Sequence, residues 1–297
     1  MAFQEVVDGL DYRLCRYGSS RHTFRGPAQQ IDDIAIAVLG GSETFGRFID
    51  RPYPMLLEQE LERPVVNLGC MHAGPEAFFR DPVVDEVCNR AQVVVIQIMG
   101  AQNTSNAFYD VHPRRNDRFL SASDRLRCLF AGVDLADVHF TGHLLRQLRR
   151  ANTAAFEDMI GAVRQAWVTR MKSLIGRIDL PVVLFWLADK APAAPGAGPT
   201  DLPAAATAAP GLINRPMIEQ IRPLAVQVIE CVCPAADDST FVGNPFTAPG
   251  GRLFGPGLFG EHTHAQAANA LAAALRPVLQ ARSGKGPAQP RATGLSE

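Results

Sequence analysis

Four things are missing from this sequence, and each absence removes a class of protein. Charge of one sign is not in excess: 29 Lys and Arg stand against 30 Asp and Glu, a formal net charge of −1. Without a global basic field, a generic nucleic-acid binder or a binder of anionic membranes is not expected. Long apolar runs are also absent, since nowhere do about eighteen apolar residues follow one another. The opening MAFQEVVDGLDYRLCRYG is acidic where a signal peptide needs a basic start and an apolar core, so the expectation is a cytoplasmic protein with no membrane partner. Paired CxxC motifs are absent among the six cysteines (Cys15, Cys70, Cys88, Cys128, Cys231, Cys233), so reduced thiols and no metal are expected. Cys231 and Cys233 alternate on a strand end and read as packing. No internal repeat of solenoid length is visible either.

What is present is an ordinary globular composition, 47% hydrophobic and 20% charged over 297 residues, enough to bury a sizeable core. The chain is organised around residues 34–46, IAIAVLGGSETFG. Its first half is a continuous apolar run, the signature of a strand covered on both faces. It breaks at Gly40-Gly41 and presents Ser42 where ligands bind in open α/β sheets. Further short apolar runs at 64–68, 92–99, 181–187 and 224–230 read as strands. Helical periodicity falls at 54–62, from 76 past Pro82, and at 122–131, 139–150, 152–174, 215–222 and 265–281. Strands separated by helices predict an α/β fold, a three-layer α/β/α flavodoxin-like parallel sheet. Residues 1–32 read as an N-terminal extension and 33–281 as the domain, with a helical insertion at about 107–175 and a flexible Ala/Pro/Gly loop at 190–211. Residues 282–297 read as a disordered tail.

Ser42, the Asn67 to Gly74 loop and the Gly100 to Asn106 loop follow three successive strands, and Gly260-Glu261-His262-Thr263-His264 precedes the last helix. Taken in order, GGSETFG (40–46), NLGCMHAGP (67–75), MGAQNTSN (99–106) and EHTHAQAANAL (261–271) resemble the SGNH, or GDSL-type, hydrolase superfamily over roughly residues 33–281. YGSSRHTFRGP (17–27) and VHPRRNDRF (111–119) also resemble an uncharacterised bacterial family of SGNH-like proteins, which has no activity to transfer. The chain departs from the superfamily pattern in three places: Gly41 replaces the Asp of GDS, GxND reads Gly100-Ala101-Gln102-Asn103, and the acid of DxxH is Glu261.

The resemblance implies a serine esterase, acyl hydrolase or acyl transferase with no cofactor. Ser42 would be the nucleophile, His264 its base and Glu261 the acid that orients the imidazole, with His262 the competing base. The amides of Ser42 and Gly74, with the side-chain amide of Gln102 or Asn103, would form the oxyanion hole. Arg114, Arg115 and Arg118 would favour an acidic, sulfate-bearing or phosphate-bearing substrate, so the expected partner is a small-molecule or carbohydrate ester.

Two other readings stay open on the sequence. A catalytically silent SGNH-like domain would bind a carbohydrate or anionic ligand through its arginines. The 40–47 loop approaches a phosphate loop, with Arg47 and Phe48 in place of the lysine and hydroxyl, which would suit a nucleotide-dependent transferase. His139 and His143 lie one helical turn apart, as a zinc pair would, but the glutamate of a metalloprotease is absent, and surface or structural histidines are expected.

Overall fold

A computed structural model describes residues 10–79, 81–194, 210–233 and 259–283. The expected disordered tail from residue 284 and most of the expected flexible loop, 195–209, lie outside the described residues. In chain order the elements are β1 (Ile36–Gly40), α1 (Ser42–Phe45), α2 (Tyr53–Leu61), β2 (Val65–Gly69), α3 (Pro75–Phe79) and α4 (Pro82–Arg90). Next come β3 (Val93–Gln97), β4 (Tyr109–Val111), β5 (Phe119–Ala122), α5 (Asp124–Leu129), α6 (Thr141–Ala151) and α7 (Thr153–Ile175). The chain then forms β6 (Val182–Ala188), α8 (Arg215–Ile221), β7 (Gln227–Val232) and α9 (Glu261–Ser283).

Five strands make one parallel sheet in the order β2-β1-β3-β6-β7. β1, β2, β3 and β6 are buried at every position, which is why they read as apolar runs without alternation. Their side chains still divide by parity. Ile36, Val38, Val93, Val95, Val183 and Phe185 pack with α2 and α9 on one face. Ala37, Leu39, Val94, Ile96, Leu184 and Trp186 pack with α4, α6, α7 and α8 on the other. The result is the expected three-layer α/β/α flavodoxin-like sheet, whose strand order reverses between β1 and β3.

Two local expectations are corrected. The helix read from 76 past Pro82 is two helices, because Asp81 is the N-cap of α4, its carboxylate accepting from the Val83 amide at 3.1 Å, from Ser20 Oγ and from the Arg21 amide. The region read as a helical insertion also contains the antiparallel pair β4 and β5. Strands of three and four residues are too short to show period-two alternation, and their pairing comes from backbone bonds.

The N-terminal segment from residue 10 packs on the domain. Phe24 is fully buried and bridges Cys15, and the Arg25 guanidinium donates to the carbonyls of Gly46 at 3.1 Å and Asp50 at 2.7 Å beneath the Tyr12 ring. Arg25 thereby ties this segment to the end of the serine turn.

Gly69 ends β2 directly under α1: a Cβ there would lie 2.3 Å from the Phe45 amide nitrogen and 2.6 Å from the Thr44 carbonyl carbon. Both obstacles are backbone, so Gly69→Ala is expected to cost about 1–3 kcal/mol as α1 is pushed off the sheet. Gly161, inside α7 with open space around its Cβ position, should show the opposite sign, Gly161→Ala gaining about 0.5–1 kcal/mol. Thermal unfolding of the two variants beside the parent tests both signs.

Candidate active site

Gly40 is small because the sheet edge is crowded. A Cβ would fall 1.9 Å from Thr44 Oγ1 and 2.4 Å from Gln97 Oε1, and no left-handed backbone is involved at Gly40 or Gly41. Gln97, the polar residue of β3, is 3% exposed and shapes the turn that the missing Asp of GDS would otherwise shape. Its Oε1 accepts from the Gly41 amide at 3.0 Å and from Thr44 Oγ1 at 2.5 Å, and its Nε2 donates to Glu43 Oε2 at 3.0 Å. Thr44 Oγ1 also meets the Tyr53 hydroxyl at 2.7 Å. Ser42 is thereby set at the first position of α1, partly exposed, at the C-terminal end of β1 and beside the switch point.

The Ser42 hydroxyl accepts a hydrogen bond from the His72 amide at 3.0 Å. His72, in the turn after β2 with φ 60°, is the hub of the site. Its carbonyl accepts from Asn103 Nδ2 at 3.3 Å, its Nε2 lies 3.2 Å from the Arg47 guanidinium, and its Nδ1 lies 3.8 Å from Asp117 Oδ2. A guanidinium only donates, so Nε2 carries the lone pair and the ring proton sits on Nδ1, facing Asp117. Burial, with Arg47 and Arg115 adding to it and Asp117 opposing, lowers the affinity of this ring for a second proton.

His264 has the opposite arrangement. It is 1% exposed, in the first turn of α9, stacked on the Tyr53 ring, and its Nδ1 accepts from the Tyr53 amide at 3.1 Å. The ring proton is therefore on Nε2, the reverse of the tautomer a catalytic triad uses. Burial and then the charge of Arg25 push its pKa down to about 3. Glu261 and His262 are exposed, and among the described residues no hydrogen bond joins Glu261 to His264 or His264 to Ser42.

The remaining expected site residues divide in the same way. The Gly74 amide is already committed, donating at 2.8 Å to Oδ1 of the fully buried Asn116, which also takes the Ala77 amide. Gln102 turns its side chain toward Gly100 and Gly211, where its Oε1 is buried without a partner, whereas Asn103 faces the Ser42–His72 turn and accepts from Thr141 Oγ1 at 2.9 Å. Arg115 approaches Asp117 at 3.8 Å, Arg118 lies over the Phe140 ring at 5.8 Å, and Arg114 is exposed.

The sequence reading did not single out His72, Asp117, Arg47, Gln97 or Asn116 for these positions. A polar residue inside an apolar strand was the available signal for Gln97. His72 and Asp117 are 45 positions apart and carry no mutual signal in the chain.

Two alternatives lose their geometry. Residues 41–47 form one helical turn closed by left-handed Gly46, and the amides of Phe45, Gly46 and Arg47 bond the carbonyls of Gly41 and Ser42, so no phosphate cradle is open there. His139 precedes α6, its carbonyl accepting from the Phe119 amide, and His143 Nε2 meets Gln147, so the two histidines do not share a helix. Among the described residues no group of three or more His, Cys, Asp or Glu is placed to hold a metal ion, and no helix is long and apolar enough to cross a membrane. The Cys231 and Cys233 thiols lie 3.4 Å apart against Gln266, and burial, reinforced by Cys233, raises the Cys231 pKa to about 12.

Residues 1–279 match the family described as "Domain of unknown function (DUF6473)". No curated protein matches the chain. Among solved structures, it is similar to a putative lipolytic protein of the G-D-S-L family from Desulfitobacterium hafniense DCB-2, at 10% identity and TM-score 0.34, covering 81% of this chain and 99% of that one. It is also similar to the lipase Lip_vut3 from a goat rumen metagenome, at 14% identity and TM-score 0.35, covering 81% and 97%.

Proposed function

For a chain that belongs to the domain of unknown function DUF6473, a family that brings no activity with it, we propose a function from the site alone: an acyl-ester hydrolase or acyl transferase with Ser42 as nucleophile. The observation that carries this reading is the position of the Ser42 hydroxyl. It sits at the switch point of a doubly wound sheet, accepting from the His72 amide at 3.0 Å, and His72 in turn meets Asp117, Asn103 and Arg47. The hydroxyl would attack the acyl carbonyl. The amide of Ser42, which opens α1 and has no intrahelical acceptor, and the Asn103 side chain would receive the oxyanion. Two histidines compete for the proton of Ser42: His264, as the family resemblance implies, and His72.

Labelling with a neutral alkyl fluorophosphonate, read by intact mass and peptide mapping, tests the reading. One adduct on Ser42, absent from Ser42→Ala, is expected. Folded protein that takes no adduct, with Arg47→Met equally unreactive, would overturn the enzyme reading, and weight would pass to a silent domain that binds an anionic ligand beside Arg47 and Arg115.

A further inference from the structure

We infer that His72, oriented by Asp117, is the base that serves Ser42, and that Arg47 masks it until an anionic group of the substrate draws the guanidinium away. The inference rests on the proposed role of Ser42 and names the base and the substrate class for that site.

Three features support it. The first is proximity: the His72 amide nitrogen is 3.0 Å from Ser42 Oγ, and the Cα that bears the imidazole is one bond further on, about 1.5 Å. Among the described residues no hydrogen bond joins the His72 ring to Ser42 either, its Nε2 being on Arg47, so the ring meets the hydroxyl by rotating about its side-chain bonds once the guanidinium leaves. The second is the tautomer. A base in a serine triad holds its proton on Nδ1 toward a carboxylate and offers Nε2 to the hydroxyl. His72 has that arrangement, with Asp117 on the Nδ1 side, while His264 has the reverse, its Nδ1 already taken by the Tyr53 amide. The third is the orphaned acceptor. Asp117 Oδ1 is buried without a hydrogen-bond partner, its contact with Arg115 being 3.8 Å, and the Nδ1–Asp117 separation is also longer than a formed bond. A carboxylate in that condition gains when the ring beside it becomes an imidazolium.

Arg47 gives the site its selectivity. Its guanidinium occupies the lone pair the base needs, and it is partly exposed on a flexible stem. A carboxylate, sulfate or phosphate on the substrate binds a guanidinium more strongly than a neutral imidazole nitrogen does. Binding such a group releases Nε2, so the preferred substrate is an ester carrying a negative charge near the acyl carbonyl.

In the reaction, the Ser42 Oγ–H proton passes to His72 Nε2 as Oγ bonds to the carbonyl carbon and the carbonyl π pair moves onto oxygen. When that pair returns, the bond to the alcohol oxygen breaks and the leaving oxygen takes the proton from Nε2. The products are an acyl-serine and an alcohol. Water, or a second alcohol in a transferase, repeats the steps in reverse order to free Ser42.

The experiment measures fluorophosphonate labelling rates of the full chain between pH 4.5 and 8, a window that reaches below the ordinary imidazole value because burial lowers His72, for the parent, His72→Gln, Asp117→Asn, Arg47→Met and His264→Asn, each checked for folding by circular dichroism. His72→Gln is expected to slow labelling of Ser42 at least about a hundredfold and to remove the pH dependence of its base limb. Asp117→Asn should slow it less and shift that limb. Arg47→Met should speed labelling by this neutral probe, because the lone pair is unmasked and one positive neighbour of His72 is gone, with Arg115 and Asp117 the charges that remain. A paired assay with 4-nitrophenyl butyrate and the 4-nitrophenyl monoester of adipic acid should show the parent preferring the charged ester and Arg47→Met losing that preference.

Parental labelling in His72→Gln, or loss in His264→Asn with retention in His72→Gln, returns the base role to His264 and overturns the inference while leaving Ser42 as nucleophile. Unchanged or slower labelling in Arg47→Met, or no preference for the charged ester in the parent, overturns the masking. No label on either the parent or Arg47→Met fails the proposed function itself, a distinct result.

Discussion

Acidification from pH 7 to pH 4 is expected to lower the unfolding free energy by about 3 kcal/mol through His264 alone. In the unfolded chain this histidine titrates near its ordinary value of 6.5, whereas in the fold burial, and then the charge of Arg25, hold it at about 3. Between those values the unfolded state binds a proton that the folded state refuses. The contribution is therefore complete above about pH 6.5, is lost as the pH falls through that window, and levels off near pH 3. His22 and His72 are lowered in the same direction, both chiefly by burial, and steepen the same limb. Urea unfolding at fixed pH values from 4 to 8 measures the slope. His264→Asn isolates the group, since an Asn Oδ1 accepts from the Tyr53 amide without titrating, and groups common to both proteins cancel. Its curve should be flatter by about one proton, 1.4 kcal/mol per pH unit. Identical slopes in the two proteins would show that His264 protonates in place, and its burial in the fold would then be wrong.

Trp167→Ala is expected to destabilise the protein by about 3–5 kcal/mol. Trp167 is fully buried on α7, among the largest side chains of the core, and its Nε1–H donates to the Met99 carbonyl at 2.9 Å. Met99 leads into the Gly100 to Asn103 turn, so one indole fills the space between helix and sheet and also fixes the carbonyl just before the loop that carries Asn103 to the His72 carbonyl. Removal leaves a cavity and an unpaired acceptor. Trp167→Phe separates the two losses, keeping most of the volume while dropping the N–H, and should cost about 1–3 kcal/mol. Guanidinium unfolding followed by far-UV circular dichroism reads both variants without relying on tryptophan fluorescence. A Trp167→Ala loss below about 1 kcal/mol would mean that the helical layer packs on the sheet some other way.

How much of this was legible in the chain can be traced residue by residue. Buried parallel strands announce themselves because both faces exclude water, so the runs IAIAVL, VVVIQ and PVVLFWL mark the sheet without structural help. Alternation with helical stretches then leaves few topologies, and a serine after the first strand falls near the switch point by connectivity alone. Secondary structure held together by pairing was not legible: β4 and β5 are too short to carry a period. The last helix begins at Glu261 rather than about Ala265, which places His264 within its first turn.

The sequence by itself determined the α/β class, the order of the buried strands and the placing of Ser42 at a sheet edge, because these follow from local hydrophobic pattern and chain direction. Only the tertiary structure decided which groups surround that serine. Hydrogen-bond direction is a property of atoms brought together from distant parts of the chain. The Tyr53 amide turned one nitrogen of His264 into an acceptor, Arg47 did the same to the other nitrogen of His72, and Asn116 consumed the Gly74 amide. No spacing in the chain encodes those three choices; they were made by the packing of loops that close over one end of the sheet.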